Sequence, residues 1–161
     1  MEDCLKILFD LLERNLVKKV KIKNVLLSKE IWMKICEKLK SNKSVFKLSI
    51  ICCLIKEEKL KLITEIFETN ETIKKLNLSW NPLKGKFIFH LFEKISKSVT
   101  HLVLSHIKFS SEDFPFFVDG LKLINNVSTL NLSSTTIKVI LYVFYFYLFL
   151  FYFIINFFID F

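Results

Sequence analysis

The sequence is poor in the residues that form tight turns and phosphate-binding loops. Its 161 residues include only two glycines and two prolines. Two glycines cannot form the glycine-rich loops with which nucleotide-binding proteins hold phosphate, and neither GxxxxGK[ST] nor GxGxxG occurs. The sequence therefore argues against the common classes of nucleotide-binding enzyme, and we predict no cofactor.

Arginine is scarcer still, since Arg14 is the only one and the other basic residues are lysines. The net charge of +8 predicts acidic partners, namely an acidic protein surface, anionic lipid or, less specifically, nucleic acid. Lysine is a point charge and lacks the two-pronged planar donor with which arginine recognises phosphate and guanine. We therefore predict no sequence-specific binding of nucleic acid.

The cysteines and histidines do not have the spacing of a metal site or a catalytic set. Cys52 and Cys53 are adjacent, which fits neither a CxxC motif nor a zinc site. The only histidines are His90, His101 and His106. None has a nucleophile and a carboxylate spaced to act with it, so we predict neither catalysis nor a bound metal. The N-terminus is acidic from Glu2 and does not resemble a signal peptide, which favours a reducing, cytoplasmic location.

The chain does contain a repeat, which is its strongest sequence signal. Pairs of apolar residues separated by one position recur at a nearly constant interval, which is slightly shorter only between the third and fourth pairs. The five pairs are Val20/Ile22, Leu48/Ile50, Leu76/Leu78, Leu102/Leu104 and Leu130/Leu132. Such alternation predicts short strands with one buried face. The third repeat, IKKLNLSWNPL (73–83), matches the full pattern LxxLxLxxNxL.

The second half of each repeat has the spacing of a helix with one apolar face. In the first repeat this face is Ile35, Cys36 and Leu39, and the next three repeats have apolar or small residues at the same positions. Each repeat thus predicts strand, turn and helix, and stacked repeats give parallel strands inside and helices outside. A further helix, which covers the first repeat, is predicted from Leu5, Leu8, Phe9, Leu12 and Leu16.

A strand–helix repeat of this length resembles the ribonuclease-inhibitor-like class of leucine-rich repeat proteins. The resemblance covers residues 1–138 and implies a right-handed α/β solenoid that binds proteins on its concave sheet face. It divides the chain into a capping helix (1–16), the repeats (17–138) and an apolar C-terminal segment (139–161). The repeats run over about 17–44, 45–72, 73–98, 99–126 and a partial 127–138.

The repeat frame also predicts which side chains are structural and which meet a partner. An asparagine after the strand satisfies backbone groups of neighbouring turns; Asn81 holds this position in the third repeat, and Cys53 and Thr135 hold it in two others. Alternate strand residues point to the concave face, where we predict an acidic protein partner. The predicted partner-binding residues are Lys19, Lys21, Lys23, Lys47, Lys75, Asn77, Trp80 and His101.

Two other functions stay open at the level of sequence. The class includes Ran GTPase-activating proteins, so regulation of a small GTPase is one alternative. The exposed arginine that such a mechanism suggests is absent from the repeats, because Arg14 lies in the predicted N-terminal helix. The other is a membrane-tethered protein whose lysines contact anionic lipid. Five strands are fewer than the class usually has, so a piece of a longer solenoid is a further interpretation.

The apolar segment 139–161 has a charged side chain only at Asp160. At about 1.5 Å rise per residue, a helix over this segment can cross the roughly 30 Å hydrocarbon core of a bilayer. The preceding lysines would then place the repeats on the cytoplasmic side. The same residues also occupy the position of the fifth repeat's helix, and their composition is that of a translated AT-rich non-coding stretch. The sequence leaves these three interpretations open.

Overall fold

A computed structural model describes residues 2–136. In chain order it contains α1 (Glu2–Glu13), β1 (Lys19–Lys23), α2 (Lys29–Ser41), β2 (Lys47–Ile51), α3 (Glu57–Ile66), β3 (Lys75–Asn77), α4 (Gly85–Ile95), β4 (His101–Val103), α5 (Phe114–Leu121) and β5 (Thr129–Asn131). A 3-10 turn over Ser111–Asp113 precedes α5. The predicted apolar helix over 139–161 lies outside the described residues.

The five strands form one parallel sheet in the order β1-β2-β3-β4-β5. The register places the first members of the apolar pairs side by side, namely Val20, Leu48, Leu76, Leu102 and Leu130. Because the strands are parallel, each is followed by a return segment, and the helical half of the repeat provides it. The predicted α/β class with short parallel strands is confirmed.

The inward side chains of the sheet and of the helices form one continuous apolar core. In β1 the two apolar residues are buried and the three lysines are exposed. The helices contribute one column of completely buried residues, namely Ile35, Ile63, Leu91 and Phe117. Burial of each such side chain contributes about 1.5–3 kcal/mol, so the apolar columns are the main source of stability.

Helix α1 packs against α2 and is shorter than the apolar pattern predicts. It ends at Glu13, and Asn15 then adopts a left-handed conformation with φ 55. A left-handed asparagine is a common helix terminator because its side chain tolerates this region. Leu16, which the pattern placed on the helix, therefore lies beyond it and is 57% exposed.

Two buried asparagines, Asn42 and Asn70, tie consecutive repeats together after α2 and α3. The side-chain amide of Asn70 donates to the carbonyls of Leu39 at 2.6 Å and Asn42 at 2.8 Å. Its side-chain oxygen accepts from the backbone amides of Thr72 at 2.9 Å and Ile73 at 3.1 Å. Asn42 makes equivalent bonds one repeat earlier. Each asparagine thus pairs backbone groups that the end of a helix leaves free.

The connection between α4 and β4 lacks such an asparagine. The interval from Leu76 to Leu102 is shorter than the corresponding interval in the other repeats. Ser98 lies in this shorter connection and is 3% exposed, and its hydroxyl has no hydrogen-bond partner among residues 2–136. A buried polar group without a partner costs about 1–3 kcal/mol, so this connection is a weak point of the fold.

We expect Ser98→Ala to leave the free energy of unfolding unchanged or to raise it by about 1 kcal/mol, because it removes an unpaired buried hydroxyl. Urea denaturation measures the change. The matched control is Ser44→Ala, because the Ser44 hydroxyl donates to the carbonyl of Val17 at 2.7 Å. This control should lose about 1 kcal/mol. Equal losses in both variants would contradict the prediction.

Asp113 links the 3-10 turn to the start of α4. Its carboxylate accepts the backbone amide of Gly85 at 2.7 Å, and both the amide and the hydroxyl of Ser110 at 2.8 Å. Burial raises the pKa of this carboxyl, but the hydrogen bonds from Gly85 and Ser110 and the charge of Lys84 outweigh burial, so the pKa is lowered overall. A negative charge is thereby held at a helix N-terminus, where the helix dipole stabilises it.

Candidate functional site

Five lysines lie on the sheet face that points away from the helices, on the side of the first strands. Lys19, Lys47 and Lys75 are aligned across β1, β2 and β3, and Lys21 and Lys23 continue along β1. Adjacent strands are about 4.8 Å apart, and residues two apart on a strand are separated by about 6.7 Å. The positive charges are therefore crowded, and we call these five residues the lysine face.

The lysine face is not neutralised within the described part of the chain. The ion pairs found in residues 2–136 involve other basic residues, most of them on the helices. Lys19 lies 5.9 Å from the centre of the Phe46 ring, which provides only a weak attraction. Two like charges about 4 Å apart repel by about 1 kcal/mol in water, so a bound anion relieves repulsion on this face.

A groove of about 220 Å³ lies within the lysine face. Its polar lining is Lys19, Lys21, Lys47, Ser49 and Asn77. Four of the predicted partner-binding residues therefore meet at one place. Lys23 and Lys75 lie beside the groove, whereas Trp80 and His101 do not line it.

The lysine face ends on the polar side chains of Asn77 and His101, which are held by internal hydrogen bonds. The Asn77 side-chain oxygen accepts from the amide and hydroxyl of Ser79 at 2.9 and 2.7 Å. The ring of His101, which is aligned with Lys75, shares a hydrogen bond of 2.9 Å with the Thr100 hydroxyl. Both predicted site residues are half-buried, so part of their hydrogen-bonding capacity is used inside the chain.

Trp80 lies in the turn after β3 and is 55% exposed. Its indole stacks on the imidazole of His106, with ring centroids 4.1 Å apart and an interplanar angle of 13°. The stacking partner of Trp80 therefore belongs to the following repeat. The two rings meet because the same left-handed turn residue recurs in every repeat, at Asn24, Cys52, Trp80, His106 and Ser134.

Asn81 supports this turn from inside the core and is 2% exposed. Its amide donates to the carbonyls of Ile50 at 2.8 Å and Leu78 at 2.9 Å. Its side-chain oxygen accepts from the backbone amides of Cys53 at 3.0 Å and Ile55 at 3.1 Å. The contacts to the second repeat and to its own repeat fix the turn that carries Trp80.

The shorter side chains at the equivalent positions serve fewer backbone groups. The thiol of Cys53 lies 3.2 Å from the Ile51 carbonyl and 3.6 Å from the Ile22 carbonyl, which is a weak interaction for sulfur. The Thr135 hydroxyl donates to the Leu132 carbonyl of its own repeat at 2.7 Å. The connection between neighbouring turns is therefore strongest at Asn81.

Across residues 2–136, no three His, Cys, Asp or Glu side chains are grouped so that they could hold a metal ion. Burial raises the pKa of the Cys36 thiol to about 12, so the reactive thiolate is not formed near neutral pH. Over the same range no helix has the length and apolar character that a bilayer-spanning helix needs. The segment 139–161, to which the prediction of a membrane anchor refers, lies outside the described residues.

Comparison with known proteins places the fold but not the activity. No family model matches the chain, and no curated protein matches its sequence. The structure is similar to the tropomodulin C-terminal domain of Caenorhabditis elegans, with 17% identity, a TM-score of 0.69, and coverage of 80% of this chain and 82% of that chain. It is also similar to actin-binding site 2 of leiomodin-1, with 20% identity, a TM-score of 0.63, and coverage of 77% and 76% respectively. These likenesses show a leucine-rich-repeat-type fold.

Proposed function

We propose that the chain is a non-catalytic protein-binding module that recognises an acidic protein surface through the lysine face. The observation that carries this proposal is the alignment of Lys19, Lys47 and Lys75 across three strands, with no carboxylate paired to them among the described residues. The likeness to a leiomodin-1 domain described as an actin-binding site adds that this kind of fold serves protein binding there. Asn77, Trp80 and His101 complete the proposed footprint.

The proposal includes the architecture of the repeats. Strands joined through helices in one parallel sheet are right-handed in about 98% of cases, which supports a right-handed solenoid of the ribonuclease-inhibitor-like class. We divide it as the sequence does, into a capping helix (1–16), repeats (17–138) and an apolar segment (139–161). In such a solenoid the sheet lines the concave side, so the lysine face is the surface on which a partner segment rests.

Charge alone gives this face limited affinity. An exposed ion pair contributes roughly 0.2–1 kcal/mol, so five lysines contribute at most about 5 kcal/mol. This corresponds to a dissociation constant of roughly 0.2 mM. The lysines therefore provide attraction and rapid encounter, and a tight complex needs apolar contacts in addition.

The test is a charge reversal on the lysine face. We expect Lys21→Glu combined with Lys47→Glu to weaken binding to purified actin, and to a poly-glutamate peptide, by at least about tenfold, and to reduce its dependence on salt. The control is Lys34→Glu combined with Lys86→Glu, which makes the same change of charge at exposed positions of α2 and α4. Titration calorimetry at two salt concentrations measures the affinities.

Three outcomes separate the alternatives. Equal weakening by both double variants shows a general charge effect and rejects the lysine face as the site. A wild-type chain that binds neither actin nor poly-glutamate contradicts an acidic protein partner. Binding that appears only with vesicles containing phosphatidylserine favours the lipid alternative.

A further inference from the structure

Three exposed apolar side chains follow the first three strands and are aligned like the strands. Leu26 is 68% exposed, Leu54 is 50% exposed, and Pro82 is also exposed. They are spaced by one repeat length each and so occupy the same position in consecutive repeats. We call them the apolar ridge. Single exposed leucines are common on protein surfaces, whereas a contiguous row marks an interaction surface.

Leu54 holds its place in the ridge with an unfavourable backbone conformation. Its φ is 50, in the left-handed region that a branched side chain rarely adopts. Such strain is found mostly at ligand-binding and functional sites, where the surrounding structure imposes it. Here the constraint includes the hydrogen bond from the amide of the next residue, Ile55, to the Asn81 side chain at 3.1 Å. The fold therefore presents a leucine to solvent at this position.

The apolar ridge lies in a groove of about 770 Å³ that also carries positive charge. Lys56 and Lys84 line it at equivalent positions, together with Glu57, Glu58 and Lys59. Glu58 is paired with Lys29 at 3.1 Å, and the ammonium of Lys59 donates to a backbone carbonyl at 2.9 Å. Donation to a neutral carbonyl leaves the charge of Lys59 in place, so the ridge is flanked by three ammonium groups and, besides the paired Glu58, by the carboxylate of Glu57. Its surroundings therefore attract negative charge.

We propose that the apolar ridge binds the apolar side chains of an acidic partner segment, whose carboxylates meet Lys56, Lys84 and the lysine face. The inference rests on the proposed function, because it assigns a second part of the footprint to the same partner. Charge complementarity selects this occupant, since both the groove and the lysine face are basic. Trp80, two residues before Pro82, belongs to the same repeat as the end of the ridge and adds an exposed aromatic ring.

The experiment uses two synthetic peptides of equal length and charge. One contains glutamate with leucine at every third position, and the other has serine in place of each leucine. Binding to the full chain is measured by titration calorimetry and by the emission of Trp80, since Trp32 is completely buried. We expect the leucine peptide to bind at least about tenfold more tightly to the wild-type chain.

The variant Leu26→Ser combined with Leu54→Ser should abolish this preference and leave binding of the serine peptide unchanged. The control is Ile7→Ser combined with Met33→Ser, which removes exposed apolar side chains from α1 and α2 and should retain the preference. Circular dichroism of each variant verifies that the exposed substitutions preserve the fold.

The failure of this inference is distinct from failure of the proposed function. Equal affinity of the two peptides for the wild-type chain, or a preference that persists in the Leu26 and Leu54 variant, overturns the ridge as a docking site. Loss of serine-peptide binding in Lys21→Glu with Lys47→Glu supports the proposed function independently of the ridge. Serine-peptide binding that is insensitive to those reversals overturns the proposed function, whatever the leucine peptide does.

Discussion

Replacement of Asn70 by alanine should lower the free energy of unfolding by about 4 kcal/mol, because it leaves several buried backbone groups without partners. The asparagine is completely buried and serves two carbonyls and two amides. Each unpaired group costs about 1–3 kcal/mol, and entry of water into the space reduces the total. A loss of this size is a large fraction of the roughly 5–15 kcal/mol by which domains of this size are usually stable.

The control is the same substitution at Asn126, which lies two repeats further along the chain. Its side chain also bonds to a carbonyl of the preceding repeat, that of Ser96 at 2.7 Å, but the contact is exposed. We expect less than about 0.5 kcal/mol for Asn126→Ala, because water replaces an exposed partner. Urea denaturation compares the two variants. Similar losses at both positions would show that burial of the amide is not what makes Asn70 important.

Replacement of Asp113 by alanine should lower the free energy of unfolding by about 3 kcal/mol near neutral pH, since hydrogen bonds to a charged group contribute about 1.5–3 kcal/mol each. The variant leaves the backbone amides of Gly85 and Ser110 without their acceptor. The pKa of this carboxyl is lowered in the folded chain, so its contribution is present above its ordinary pKa of 3.8. The contribution is lost as pH falls through the lower folded value.

The measurement is urea denaturation of the wild type and of Asp113→Ala at several values between about pH 7 and pH 2. The difference between the two chains should be constant down to the ordinary pKa of the carboxyl and should shrink below it. Asp119→Ala is the control, because the pair it forms with Lys122 is exposed and contributes little. A difference that stays the same at the acid end would show that Asp113 acts through packing rather than charge.

The fold was predictable because the spacing of apolar residues that produces its strands and helices recurs at a nearly constant interval along the sequence. Val20 and Ile22 alternate with lysines, and a strand with one buried face needs that alternation. Ile35, Cys36 and Leu39 have the spacing of one helical face and are all buried. Each pattern recurs in register in the later repeats, and each described strand pairs with the strands of the neighbouring repeats, so one period predicts the elements and their order.

The paired asparagines were missed because they stand outside the strand motif. Asn42 and Asn70 lie between helix and strand, where the sequence looks like an ordinary polar turn. Their separation equals the length of one repeat, and this was the available signal. The shorter connection at Ser98 interrupts that column, so the pattern is only partly visible without the hydrogen bonds.

The position of the lysine face on the sheet was predictable from the sequence, whereas its electrostatics were not. Alternation places Lys19 and Lys21 on the open side of β1, but it does not show which lysines find a carboxylate. Lys40, for example, pairs with Glu65 of the next repeat at 3.0 Å, a contact between helices that the one-dimensional pattern does not contain. The ridge residues Leu26 and Leu54 show the same limit of the sequence pattern. An apolar residue near a strand is expected to be buried, and only the structure shows that these two are exposed.

The left-handed residue that recurs after each strand creates a row of side-chain positions along the ends of the strands, where one residue type can be replaced by another. At Cys52, Trp80 and His106 the backbone amide donates to the carbonyl of Ser79, Ser105 and Ser133 respectively, at 3.1, 3.1 and 2.9 Å. The main chain thereby fixes the conformation, while each of these three side chains is exposed and takes no part in the core. Asparagine, aspartate and histidine adopt such a position most readily, other side chains do so at a cost of roughly 1–2 kcal/mol, and β-branched residues and proline are disfavoured there. New partner specificities can therefore be selected along this row one residue at a time, without disturbing the stacking of the repeats.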